Sequence, residues 1–150
     1  EVLRDVPFET FLAKLPECRR QCGDRAVLRA FHIYADNDRV AKQVAALREG
    51  DFSTFLRLVN ESGHSSWEYL QNVIPAGYKE HQEMGVTIAA AKHYLNGKGA
   101  VRVHGGGFAG TAQAFVPVEM LADFKKNMEA ILGEGRCHVL SIRPEGGAVL

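Results

Sequence analysis

The sequence has too few cysteines for a disulfide framework: Cys18, Cys22 and Cys137 form an odd set among 150 residues, and none lies in a C-x-x-C pair. Reduced, partly buried thiols are expected. Cys18 and Cys22 could join His32 and His138 around zinc, but their C-x-x-x-C falls in a helical pattern without a matching H-x-x-x-H, so no metal site is expected. Net charge is also missing. Eighteen Lys and Arg balance eighteen Asp and Glu, so no long-range field draws the chain to nucleic acid or an anionic membrane, and any charged ligand must be held by local groups. No apolar run approaches the roughly 20 residues that span a bilayer, and no basic-then-apolar signal opens the chain. A soluble, cytoplasmic protein with no nucleic-acid or membrane partner is expected. The first residues, Glu1-Val2-Leu3-Arg4-Asp5, lack an initiator Met and are read as the middle of a longer chain.

What is present is enough apolar material, 46% of residues, for one domain over 1–150 with its own core. No internal repeat or low-complexity tract interrupts it. Before about residue 97 the periodicity is helical. Asp24 is expected to cap a helix whose apolar side carries Val27, Ala30, Phe31 and Tyr34, then Val40, Val44 and Leu47, ending at Gly50. Asp51 caps a second helix bearing Phe52, Phe55, Leu56 and Val59, interrupted at Gly63, and Pro75 opens a third that runs to about Leu95.

After Asn96-Gly97 the pattern becomes strand-like. Val101 and Val103 alternate with Arg102 and His104, and Ala112, Ala114 and Val116 with Gln113 and Phe115, which predicts a hairpin. Leu121, Phe124, Met128 and Ile131 form a helical stripe closed by Gly133 and Gly135, and Cys137 to Ile142 reads as a last strand. The expected fold class is α+β, a ferredoxin-like two-layer sandwich with N-terminal helices packed on a mainly antiparallel sheet.

Between the hairpin strands lie four glycines in six positions: Gly105, Gly106, Gly107 and Gly110, with Phe108 among them. Glycine at that density allows backbone conformations that other residues avoid and bares amide groups to an anion, so a phosphate cradle is one reading and a plain hairpin turn the other. Gly105-x-Gly107-x-x-Gly110 satisfies the dinucleotide fingerprint but leads into a strand instead of a helix. Gly105 and Gly110-Thr111 have P-loop spacing but no lysine, and the protein-kinase glycine loop would require V-A-I-K, H-R-D and D-F-G. Arg102 and His104 flank the turn and are candidates to approach phosphate. Arg39 and Asp36 read as a helix-surface ion pair. Glu61 and Glu68, seven apart, would share a face only if the helix continued through Gly63, which argues against a two-carboxylate hydrolase site. Trp67, Tyr69 and Tyr78 read as packing residues before ligand platforms.

Val101-Arg102-Val103-His104-Gly105-Gly106-Gly107-Phe108-Ala109-Gly110 resembles the third motif of the galactokinase, homoserine kinase, mevalonate kinase and phosphomevalonate kinase (GHMP) superfamily, A-R-M-T-G-G-G-F-G-G in galactokinases. The resemblance extends to Leu3-Arg4-Asp5-Val6 and to Arg29–Val40, which is similar to the R-A-x-H-v-x-x-E-N-x-R-V helix. It also includes Leu47, Gly50-Asp51-Phe52 and Phe55, and then Glu61–Ser66. Asp36 stands where the family usually has Glu, Ala109 replaces a glycine, and Trp67 to Met84 follows no family pattern.

The resemblance implies the C-terminal domain of an ATP- and Mg2+-dependent kinase that phosphorylates the anomeric hydroxyl of galactose or a related sugar. It places Gly105, Gly106, Gly107, Phe108 and Gly110 beside the nucleotide phosphates. It also implies that the P-x-x-x-G-L-x-S-S-A phosphate loop, the catalytic aspartate and most sugar contacts come from an N-terminal kinase domain. None of these is present here, so no catalytic residue is expected in this fragment. A non-catalytic sugar sensor, or a GHMP kinase with another acceptor, is the alternative.

Overall fold

A computed structural model describes residues 2–108 and 110–145. Two short helices, α1 (Phe8–Ala13) and α2 (Leu15–Cys22), precede the long α3 (Asp24–Glu49). Gly23, at φ 82, is the residue before α3, and Asp24 is its first helical residue instead of its cap, with the carboxylate turned back to Arg19 Nε at 2.6 Å. Gly50 closes α3 in the left-handed conformation, and the Asp51 amide donates to the Ala46 carbonyl at 2.8 Å. Asp51 then caps α4 (Phe52–Ser65), its Oδ1 accepting from the Thr54 amide at 2.9 Å.

Gly63 does not interrupt α4. A Cβ there would stand 3.0 Å from Cβ of Arg102 and 3.1 Å from the Val101 carbonyl, so glycine serves close packing of the helix against a strand. The helix continues into a π-helical turn (Ser66–Leu70) that ends at Gln71 with φ 56. Glu61 and Glu68 therefore lie on one continuous helical segment, but Glu61 is paired one turn back with Arg57 on the surface. The third helix, α5, spans Glu83–Leu95 and does not begin at Pro75. Residues 75–82 are irregular, with Gly77 at φ 85, a conformation that no α-helix accommodates.

Strands β1 (Ala100–His104) and β2 (Thr111–Phe115) form the expected antiparallel hairpin, with Val101 opposite Ala114 and His104 opposite Thr111. Helix α6 (Leu121–Leu132) follows a short 3-10 turn at Val118–Met120. The expected last strand does not form: residues 137–142 carry no strand, and Val139, Leu140 and Ile142 are exposed. Among the described residues the sheet is the two-stranded hairpin alone, so the α+β class holds while the ferredoxin-like sheet is not completed. Alternating apolar residues make a strand only by pairing with a neighbour's hydrogen-bonding edge, and among the described residues 137–142 pair with none.

The core lies between the hairpin and the last two helices: Val101 and Val103 meet Met84, Ile88, Ala91 and Leu95 of α5 and Phe124 and Met128 of α6. The other long edge of β1 is held by a side chain. Asn60 of α4 accepts from the Val101 amide at 3.1 Å and donates to the Gly99 carbonyl at 3.2 Å, supplying what a further strand would have supplied.

Helix α3 is patterned against expectation. Its first turns meet the aromatic cluster of Phe8, Phe11, Phe31 and Tyr34, with ring centroids 5.1 to 6.1 Å apart. Tyr34 donates to the Val6 carbonyl at 2.9 Å and so ties the N-terminal segment to the helix. Farther along, Val40, Val44 and Leu47 are 54%, 41% and 51% exposed, while His32, Asp36 and Arg39 face inward. Periodicity identifies a stripe, but the partner chosen in three dimensions decides which stripe is covered.

Candidate functional site

Between β1 and β2, residues 105–108 and 110 lie in the turn that the glycines predict. Gly105 and Gly107 have positive φ, 66 and 80, whereas Gly106 does not. A Cβ on Gly105 or Gly106 would meet nothing within 4 Å, so both backbones face open space. Gly107 faces inward: a Cβ there would overlap the Asn72 carbonyl oxygen and lie 2.8 Å from Asn72 Nδ2. The Phe108 amide donates to the same carbonyl at 2.7 Å, and Asn72 Nδ2 donates to the Gly106 carbonyl at 3.3 Å. Phe108 is held at φ 60, uncommon for a bulky residue, and the residue is 40% exposed. Among the described residues, no turn or loop hydrogen bond takes up the amides of Gly105, Gly106 or Gly107. Gly110 is exposed. The outer side of the turn is thus bare peptide suited to an anion, and its inner side is fastened to Asn72.

His104 lies on the exposed surface, with its Nδ1 3.3 Å from Thr111 Oγ1 across the hairpin. Arg102 points elsewhere. Its Nε donates to the Val103 carbonyl at 3.0 Å, Nη1 to Ser62 Oγ at 2.5 Å, and Nη2 reaches Ser66 Oγ at 3.4 Å. Asp36 Oδ1 accepts from Ser62 Oγ and from Arg39 Nη1, both at 2.6 Å, and the Arg102 guanidinium lies 3.9 Å from its other oxygen. His32, 3% exposed, is hydrogen-bonded through Nδ1 to Ser65 Oγ at 2.9 Å, with Nε2 3.7 Å from Asp36. Arg29 Nε donates to the Leu70 carbonyl at 3.3 Å, at the end of the π-turn.

Asp36 and Arg39 are therefore not a surface pair. They belong to a network that joins α3, α4, the π-turn and the strand entering the glycine turn. The π-turn, fastened at Ser66 by this network and at Leu70 by Arg29, delivers Asn72 to the glycines.

Burial raises the Asp36 carboxyl, but its bonds to Ser62 and Arg39 and the nearby Arg102 charge outweigh that and hold it below the usual value of 3.8. Burial lowers His32 from 6.5, aided by Arg102 and Arg39 and opposed by Asp36. The folded chain consequently binds a proton at His32 less readily than the unfolded chain. Its stabilising effect is complete above pH 6.5 and is lost as pH falls toward the folded value; Asp36 adds a second loss only below 3.8. Urea unfolding at pH 7.5 and pH 5 is expected to show the decline, at up to about 1.4 kcal/mol per pH unit. His32→Gln should flatten that window, and a decline unchanged by the substitution would assign it to other groups.

Sequence reasoning missed Asn72, and it reached the serines only as part of the resemblance over Glu61–Ser66, without a role for them. Ser62, Ser65 and Ser66 are buried polar residues on a helix, and only their partners distinguish them from solvent-facing serines. Trp67 packs against α5: a Cβ on Gly85 would meet its ring at 3.3 Å, which accounts for a glycine inside that helix. Tyr69 and Tyr78 are exposed.

No family model matches the chain. Curated relatives do. Galactokinases of Mannheimia succiniciproducens, Glaesserella parasuis and Actinobacillus pleuropneumoniae are 31%, 30% and 29% identical over 126 residues, 84% of this chain in each case. The matched region spans 31% of the length of each relative. The resemblance read from the motifs is thus a similarity along most of the chain to a part of galactokinases.

Proposed function

We propose that this chain is the C-terminal domain of an ATP-dependent sugar kinase of the galactokinase type, phosphorylating the anomeric hydroxyl of galactose or a related monosaccharide in the cytoplasm. The observation that carries this reading is the two-sided glycine turn: Gly105 and Gly106 open to space, Gly107 locked inward. In it, the amides of Gly105, Gly106 and Gly107, which no turn or loop hydrogen bond takes up among the described residues, face the nucleotide phosphates, with Phe108 and Gly110 on the same wall of the cleft, and His104 at its edge. The N-terminal domain of the parent supplies the opposite wall, the catalytic aspartate and most sugar contacts. ATP with Mg2+ would supply the phosphoryl group. The part left to this chain is to hold fixed peptide dipoles where charge develops, which costs no reorganisation during reaction. Arg102, with its donors engaged by Ser62, Ser66 and its own strand, acts by fixing the strand that enters the turn.

The test is ADP release by the full-length protein with a panel of hexoses. Gly106→Val provides the sharper arm. Its side chain would project into open space without steric conflict, so stability should stay within about 0.5 kcal/mol, as for other surface changes. Turnover should fall about a hundredfold, the scale of losing a stabilising donor. Unchanged turnover would take the glycine turn out of the mechanism.

A further inference from the structure

The glycine turn is held in shape by a residue outside it, and we infer that Asn72 is the positioning residue that sets the direction of the Gly107 amide, which shares a trans peptide plane with the Gly106 carbonyl that Asn72 binds and points the opposite way. This inference rests on the kinase reading only for its catalytic consequence. Asn72 is 3% exposed, and it engages three consecutive residues of the turn. Its carbonyl accepts from Phe108, its Nδ2 donates to the Gly106 carbonyl, and its carboxamide fills the space where Gly107 has no side chain. The turn has no comparable support from its own strands, whose last pair is His104 with Thr111.

The placement of Asn72 is itself built. The π-turn adds a residue to the helical path, and Gln71 in the left-handed conformation turns the chain so that residue 72 points inward. Left-handed geometry at a non-glycine residue persists only where the surroundings hold it. Here the Arg29 bond to Leu70 and the Arg102 bond to Ser66 bracket the segment. Asn72 Oδ1 is also the one buried side-chain oxygen or nitrogen, among the described residues, without a hydrogen-bond partner. A buried carboxamide retained with its acceptor unsatisfied is hard to explain by packing, which an apolar side chain of similar volume would serve better. The donor on Nδ2 is what an apolar residue cannot supply.

Two variants of the full-length protein test this. Asn72→Asp keeps shape but replaces the donor with an acceptor facing the Gly106 carbonyl, whereas Asn72→Leu keeps volume and removes both polar atoms. Amide hydrogen exchange is read at Phe108, with Arg102 in β1, opposite Gln113 in the hairpin, as internal control, alongside kcat and the sugar KM. Exchange at Phe108 should rise at least about tenfold in Asn72→Asp, the scale of one lost hydrogen bond, while the Arg102 amide stays protected. kcat should fall with the sugar KM within about twofold, as expected when an interaction made in the transition state is lost. Phe108 exchange equal to the parent in both variants, or Arg102 exchange rising in parallel, would overturn the positioning role. Faster Phe108 exchange with kcat unchanged would uphold the role of Asn72 in shaping the turn and defeat the kinase role of the turn itself.

Discussion

Gly107→Ala is expected to destabilise the chain by about 2–3 kcal/mol, combining the cost of a side chain at positive φ with overpacking against a fixed neighbour. The backbone at Gly107 has φ 80, and the added methyl would run into the carbonyl of Asn72 and approach Cγ of that residue to 2.9 Å. Neither neighbour can give way cheaply, because the same carbonyl accepts the Phe108 amide and Asn72 is buried. The turn would have to detach from Asn72, releasing Phe108 from its unfavourable geometry. Chemical denaturation gives the stability change, and turnover of the full-length protein should be nearly abolished. The comparison with Gly106→Val is the informative part: adjacent glycines, one substitution altering fold and function together, the other altering function alone. A Gly107→Ala protein as stable as its parent would mean that the inward lock does not exist.

Asp36→Ala should cost about 3 kcal/mol, near the lower end for breaking a buried ion pair because the carboxylate is 23% exposed. The loss is not of one contact. Without the carboxylate, Arg39 loses its bond to Oδ1, Arg102 keeps Ser62, Ser66 and the Val103 carbonyl but no facing carboxylate, and His32 loses the charge that faces it. A double-mutant cycle with Ser62→Ala should show strong coupling, since the two residues share Arg102. Because the network holds the π-turn, amide exchange at Phe108 should also quicken in Asp36→Ala, although Asp36 touches no residue of the glycine turn. Additive behaviour in the cycle would reduce the network to independent pairs.

These expectations show where information in the chain is local. Asp51 capping α4, Gly50 closing α3 and the hairpin from Ala100 to Phe115 are each written within a few residues, because caps and turns depend on nearby backbone geometry. The glycine turn was legible for the same reason: its spacing and its flanking strands are contiguous. Gly63 misled because glycine can end a helix or let a neighbour approach, and only the position of Arg102 and Val101 across from it decides between them. Val40, Val44 and Leu47 misled because an apolar stripe does not state which partner will cover it.

The sequence by itself determined the α+β class, the order of the elements from α3 to α6 and the candidate turn, since propensity, capping and alternation act over short distances. Tertiary structure alone decided that the inward face of α3 is polar and that residues 137–142 find no ladder in the described fold. It alone brought Asn72, thirty-four residues away from Gly106, against the turn. The physical reason is that hydrogen bonds between distant segments depend on how those segments pack, and no short stretch of sequence encodes that packing.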